Sequence, residues 1–319
     1  SGIEHNNYSM SLYNDSAKIT SSEDPFSTYQ DDIPENRWTH ISYTRDSVNQ
    51  YLYINGTQRQ TSIIDSFLNT NNGKLYIGSQ DDNSNNSFQG FIDEIRIYPY
   101  ARTKNEIQAD KAAASSGRAA QRASEGIAAS FGGGADNFMS DGLVAYYKMD
   151  ETTGTTVNDY SGNNNHGTLT NAQETGTAET ASTTTTIVDA DNTDLSTTDD
   201  AYNNMIVEIT GGSCGITAGT RQTISDYTGA SRTITVPTAF STETDGCTFL
   251  IDHQTGGKFG SDVGFEGDDD YVNLGNPDNL NNLTALTYAV WVYAPVDAGS
   301  YRPIFEKGSG SSVRKSLYS

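Results

Sequence analysis

FQGFIDEIRIYPYARTKNEI, from Phe88 to Ile107, carries two different periods in succession. From Ile92 to Tyr98 apolar and polar residues alternate, the period-2 pattern of a strand with one buried face. Beyond Pro99, Thr103 and Glu106 stand at the spacing of a capping box, which opens a helix. A closing strand therefore hands over to a helix. In a regular strand the adjacent acids Asp93 and Glu94 point to opposite faces.

Upstream, further strands are predicted at Tyr8 to Tyr13 (YSMSLY), Arg37 to Arg45 (RWTHISYTR), Gln50 to Asn55 (QYLYIN) and Lys74 to Ser79 (KLYIGS). Asp46-Ser47-Val48-Asn49 suits a four-residue hairpin loop, and Asn55-Gly56 is the strongest short hairpin signal in the chain. Trp38 reads as a core tryptophan and His40 as a hydrogen-bonded histidine. Downstream, residues 103–131 are rich in Ala, Lys, Gln, Arg and Glu and favour helix. Gly117 and Gly126 weaken the middle of that run, and Gly132-Gly133-Gly134 end it. Its apolar side is mostly alanine, so a helical linker fits better than a coiled-coil seam.

From Asp141 a second series of strands begins. It comprises DGLVAYYKMDE (Asp141 to Glu151), DYSGNNNHGTL (Asp159 to Leu169), VGFEGDDDYVNLG (Val263 to Gly275), LTYAVWVYA (Leu286 to Ala294) and PIFEKG (Pro303 to Gly308). Residues 171–257 intervene. A Thr/Ala-rich lead (Thr175 to Thr186) precedes four or five alternating strands, among them MIVEITGG (Met205 to Gly212), RQTISDYTG (Arg221 to Gly229), RTITVPTAF (Arg232 to Phe240) and CTFLID (Cys247 to Asp252). These suffice for a small inserted β-domain. Cys214 and Cys247 fall within it and read as a disulfide clipping its ends, the alternative being two buried thiols. Such a bridge is worth about 3–4 kcal/mol in a loop-entropy account.

The chain has 319 residues, room for about two domains at ~150 residues each. With 19 basic against 41 acidic residues its net charge is −22, which argues against nucleic acid and anionic membrane as partners, since so acidic a chain is poorly suited to neutralising phosphate. Hydrophobic residues make up only 34%, yet 19 Tyr and 11 Phe supply the apolar area that sandwich cores need. No apolar run is long enough for membrane insertion, no signal peptide is visible, and the abrupt start at Ser1 reads as a fragment or a processed chain.

The series W-x-H, YLYING, KLYIGS and F-x-G-x-IDEIRIY resembles the second half of a laminin-G-like (concanavalin A-like lectin/glucanase) jelly roll. The motifs after Asp141 resemble the first half of the same domain, in the family's order. The fold class this implies is mostly β: a concanavalin A-like jelly-roll sandwich with an inserted small β-domain and one helical linker. Residues 1–102 form the C-terminal half, 103–140 the helical and Gly-rich linker, 141–170 with 258–319 the N-terminal half, and 171–257 the insert. A C-terminal half alone exposes a sheet edge and an apolar face, so each half needs a partner. Tandem repeats or a head-to-tail filament are the favoured expectation, and closure within one chain is the alternative.

The resemblance also implies a structural calcium ion. Asp159 and Asp93 are its expected side-chain ligands, with Asn163 and the main-chain oxygens around Asn165 and His166 completing a shell of hard oxygens. Asx turns are the alternative role for Asp159 and Asn163. The run Asp189 to Asp200 lacks the glycine and the bidentate glutamate of an EF-hand and reads as a solvated loop, while Asp268-Asp269-Asp270 reads as a turn. The four histidines have no metal-ligand spacing, and neither a nucleophile elbow nor a phosphate loop occurs. The expectation is a non-enzymatic, extracellular or cell-surface, self-associating structural or adhesive protein. A carbohydrate-binding module of a secreted enzyme is the alternative, with a glycan as possible partner.

Overall fold

The computed structural model describes residues 8–13, 16–21, 33–63, 73–81, 87–115, 142–151, 155–171, 173–252, 258, 262–267, 269–281, 283–294 and 301–308. The N-terminal part supplies β1 (Tyr8–Tyr13), β2 (Ser16–Ser21), β3 (Thr39–Arg45), β4 (Asn49–Ile54), β5 (Thr57–Ile63), β6 (Leu75–Ile77) and β7 (Gln89–Tyr98). The helix α1 (Lys104–Ser115) follows. Then come β8 (Ala145–Tyr147), β9 (Thr156–Val157) and β10 (Gly167–Thr170). Residues 173–252 contain β11 (Gln173–Thr177), β12 (Thr186–Val188), β13 (Ile206–Gly212), β14 (Thr220–Thr223), β15 (Asp226–Thr228), β16 (Thr233–Thr235) and β17 (Cys247–Asp252). The last strands are β18 (Val263–Glu266), β19 (Tyr271–Asn273), β20 (Leu286–Tyr293) and β21 (Tyr301–Lys307).

Two antiparallel sheets form a jelly-roll-type sandwich, and the molecule is mostly β. One sheet runs in the order β2-β1-β21-β6-β19-β10-β9. The other runs β18-β7-β20-β3-β4-β5, with β8 also paired to β7. Each sheet contains both early and late strands, so in this structure the two parts of the sequence complete each other within one chain. Between the sheets lies an apolar core to which both contribute. Ile41, Leu52, Ile92, Ile95, Ile97, Val290 and Val292 come from one side, and Met10, Leu12, Leu75, Ile77, Val272 and Phe305 from the other.

The local chemistry follows the turn signals. Asp46 Oδ1 accepts from the backbone N–H of Val48 (2.7 Å) and Asn49 (2.6 Å), which closes the β3–β4 loop. Asn55 and Gly56 both take positive φ (52° and 74°), the requirement of a two-residue hairpin whose twist matches its strands. The capping box is made in full: Glu106 Oε2 accepts from the backbone N–H and the hydroxyl of Thr103, both at 2.7 Å, while Glu106 N donates to Thr103 Oγ1 at 3.4 Å.

Three features differ from the sequence expectation. The alternation in β7 is broken at Asp93-Glu94, and the register against β20 shifts between Ala289 and Trp291, with Glu94 at φ 55°. This bulge lets Ile92 and Ile95 share the core face, so both acids leave it and the opposite-face reading is wrong. Helix α1 is described only as far as Ser115, and the rest of the expected helical linker lies outside the described residues. Residues 173–252 hold more strands than periodicity showed. The Thr-rich lead forms β11 and β12, and Arg221 to Gly229 divides between two sheets.

Among the described residues, the strands of 173–252 pair only with one another, in the orders β11-β17-β13-β14 and β12-β16-β15. They enclose an apolar cluster that includes Ile187, Val207, Ile209, Tyr227, Ile234, Phe249 and Ile251. Cys214 and Cys247 are joined, with Cα atoms 5.0 Å apart. The bridge ties the exit of β13 to the start of β17, its neighbour, rather than the two ends of the segment.

One contact between early and late strands has no slack. Gly78, at φ +81°, follows β6, and a Cβ there would sit 2.1 Å from the ring of Phe265 on β18. That ring packs edge-on against Phe88, with centroids 6.2 Å apart. Gly78→Ala is expected to destabilise the fold by about 2–4 kcal/mol, combining overpacking with left-handed backbone strain, as read by urea unfolding.

Candidate functional site

The loop after β9 was expected to hold calcium, and the structure shows what its side chains do. Asp159 Oδ1 accepts from the backbone N–H of Tyr146 and Ser161, each at 2.9 Å. Its Oδ2 accepts from Ser161 Oγ (2.8 Å) and from the backbone N–H of Asn165 (2.9 Å). Asn163 and Asn165 donate through their amide nitrogens to the carbonyls of Leu143 and Val144. His166 Nδ1 accepts from Asp159 N at 3.1 Å, and the Asn165 carbonyl accepts from the Tyr147 hydroxyl at 2.7 Å. Asp159 thus acts as a hub for protein N–H and O–H donors, binding the loop to β8. Such a donor-saturated carboxylate does not fit a calcium ligand, because the donors' hydrogens occupy the directions from which an ion approaches.

Asp93 is elsewhere. Asp159 bridges to Tyr147 on β8, whose other edge pairs with Ile95 of β7, so β8 runs between the two acids. Asp93 is fully buried opposite Trp291 of β20. The adjacent Glu94 forms an ion pair with Arg96 and accepts from the Tyr146 hydroxyl at 2.8 Å, while the guanidinium of Arg96 lies 4.8 Å from the centre of the Tyr146 ring. Beside them, Arg102 and Asp110 form a second buried pair at 2.8 Å, and the Tyr98 hydroxyl of β7 donates to Asp110 at 3.2 Å, which fastens α1 to the sheet.

His40 belongs to the same polar layer. Its ring lies 5.2 Å from that of Trp291, and its Nδ1 is 3.3 Å from Ser42 Oγ. Trp38, expected in the core, is instead half-buried against the apolar cluster of residues 173–252. There it stacks with Tyr293 (5.8 Å), which in turn packs on Phe91 (5.7 Å). Burial, with the charges of Arg96 and Lys111 adding to it, pulls the His40 pKa from 6.5 down to about 3. The unfolded chain therefore binds a proton that the native imidazole refuses, and stability is lost as pH falls from about 6.5 towards 3. Asp110 acts in the opposite sense, since burial raises its pKa to about 6 and its contribution is lost as pH rises through that value. The His40 share is isolated by difference: between about pH 7 and 4 the parent protein is expected to lose more unfolding free energy than His40→Gln.

Carboxylates converge at two other places among the described residues. Glu174, Glu266 and Asp270 are all buried and bring ligand oxygens within 4.8 Å of one another. Glu174 comes from β11, Glu266 from the end of β18 and Asp270 from the turn before β19. The Tyr202 hydroxyl of the 173–252 segment hydrogen-bonds Glu266, and Asp270 Oδ2 accepts from Glu266 N at 2.8 Å. The second group, Glu179, Asp189 and Asp191, is more exposed, and Asp189 Oδ2 there accepts from Thr177 N and Asn192 Nδ2. Sequence reasoning placed Asp270 in a turn and passed over Glu174 and Glu266. The available signal was an acid within the apolar VGFE run, which burial makes costly unless its charge is compensated.

Residues 4–108 match the family described as the concanavalin A-like lectin/glucanases superfamily. The match covers β1 to β7 and enters α1, but does not extend to the late strands, whose resemblance rests on their motifs. No curated protein and no solved structure matches the chain. A family of this name spans lectins and glucanases, so its fold leaves the choice between binding and catalysis to the site.

Proposed function

We propose that the protein is a non-enzymatic, extracellular structural or adhesive module whose sandwich is supported by calcium. The carrying observation is the state of the acids on β7. Glycoside hydrolysis needs two carboxylates flanking an open cleft. Here Asp93 and Glu94 are 0% and 1% exposed, and Glu94 is engaged by Arg96 and Tyr146. The disulfide and the acidic composition support an oxidising, salt-rich surrounding. No helix among the described residues is long and apolar enough to cross a membrane.

For calcium, the donor chemistry favours Glu174, Glu266 and Asp270 over the Asp159 loop. Three buried carboxylates bring their oxygens within 4.8 Å of one another there, and hard oxygens are what the ion takes. Millimolar calcium is expected to raise the unfolding temperature by several degrees over EDTA, with Glu266→Gln abolishing the rise and Asp159→Asn retaining it. A rise that survives in Glu266→Gln moves the ion elsewhere, and no rise in the parent removes calcium from this reading.

A second reading, glycan binding, is favoured by one feature. Trp38 and Tyr293 are only half-buried, and the Tyr293 hydroxyl lies 3.4 Å from Asn36 Oδ1, which sets aromatic faces beside a polar amide. On a glycan array this reading expects a defined hit that Trp38→Ala weakens at least tenfold. Absence of any hit returns the assignment to the structural role.

A further inference from the structure

We propose that Lys307 and Asn276 are the two reactants of a self-forming amide bond between side chains, a covalent staple that the fold makes without a cofactor. Its place is the seven-stranded sheet, where the early strand β6 lies between the late strands β21 and β19.

Lys307 ends β21, and its side chain is fully buried. A lysine so placed ordinarily meets a carboxylate, because an unpaired ammonium gives up its hydration without compensation. Among the described residues Lys307 has no ion pair. Its Nζ donates instead to the carbonyl of Gly73 at 2.7 Å and to Oδ1 of the Asn276 side chain at 3.1 Å. Burial lowers its pKa from 10.5 to about 8, which brings the neutral, nucleophilic amine within reach of ordinary pH.

Both reactants are fastened to the same strand. Leu75 N donates to Gly275 O at 2.8 Å and Leu274 N donates to Leu75 O at 2.9 Å, which holds the segment leading into Asn276. Gly308 N donates to Lys74 O at 3.1 Å, which holds the end of β21. The amine therefore needs to pass only from the oxygen to the carbon of one amide. Reactants held this close react with the high effective molarity of an intramolecular step.

In that step the neutral Lys307 Nζ attacks Asn276 Cγ. The Nζ–Cγ bond forms, the Cγ–Nδ2 bond breaks, one proton passes from Nζ to Nδ2, and ammonia leaves. Nothing is oxidised or reduced, and no other reactant is consumed. Asn276 is exposed, so water can carry the proton and ammonia can escape. The product is a neutral amide, which relieves the cost of burying an ammonium. The bond would tie β21 to the segment after β19 across the end of β6, a cross-link consistent with the structural role proposed above.

The test is the intact mass of the denatured full chain, read before and after prolonged incubation of the folded protein at about pH 9, above the Lys307 pKa. The expected mass is one ammonia below that of the disulfide-bonded sequence. Digestion that cuts between residues 276 and 307 is expected to leave their peptides joined, as located by tandem mass spectrometry. Asn55-Gly56 can also lose ammonia by cyclising, so the joined peptide decides rather than the mass alone. Lys307→Arg and Asn276→Ala are both expected to lack it; if Lys307→Arg fails to fold, Asn276→Ala, at an exposed position, supplies the control. A folded parent that keeps its full mass after incubation, or one that loses ammonia without a joined peptide, overturns the proposal. The result is independent of the calcium test, so either can fail alone.

Discussion

The sandwich depends on β20 lying between β7 and β3. This late strand hydrogen-bonds on both edges to strands from the beginning of the chain, from Leu286 opposite Arg45 at one end to Tyr293 opposite Phe91 at the other. Its alternate residues Tyr288, Val290 and Val292 enter the core, where Tyr288 stacks on Phe305 of the opposite sheet at 4.2 Å between centroids. A slip of one residue would turn that apolar set out of the core. Register in one strand therefore ties together segments separated by most of the sequence.

The same strand explains why the acids of β7 are structural. To keep Ile92 and Ile95 facing the core while matching β20, the strand must absorb one extra residue, and the bulge at Asp93-Glu94 does so. The expelled carboxylates are not left in water. They lie in a polar layer with Arg96, Tyr146, His40 and Trp291, which α1 extends through Arg102 and Asp110. Charges so placed are costly singly and tolerable only as hydrogen-bonded pairs, so the layer works as one network. A cleft enzyme requires the reverse, carboxylates free to meet a substrate.

Much of this was legible in the sequence because it is local. Hairpin chemistry at Asp46 and Asn55-Gly56, the capping box at Thr103 and Glu106, and the apolar residues of β20 declare themselves within a few residues. What stayed hidden is non-local. Nothing within FIDEIRIY announces a bulge, since its cause is the register of a strand nearly 200 residues away. The loop DYSGNNNHG was read as a metal loop because its residue types suit both jobs. Only the position of the Tyr146, Ser161 and Asn165 donors decides for a hydrogen-bonded hub. Glu174 and Glu266 lie far apart in sequence and meet only where the 173–252 segment lands on the sandwich.

That landing has its own logic. A small β-segment between β10 and β18 needs a reason to hold one orientation on its host, and two are present. Phe91, Trp38 and Tyr293 of the sandwich complete the apolar cluster of the segment, while Tyr202 and Glu174 of the segment meet Glu266 and Asp270 of the sandwich. The polar contact gathers carboxylates that repel one another unless a positive charge or a proton lies among them. A divalent cation there would strengthen the junction without altering its apolar half. Under the proposed calcium reading, rigidity of the segment relative to the sandwich would then be the property that the ion tunes.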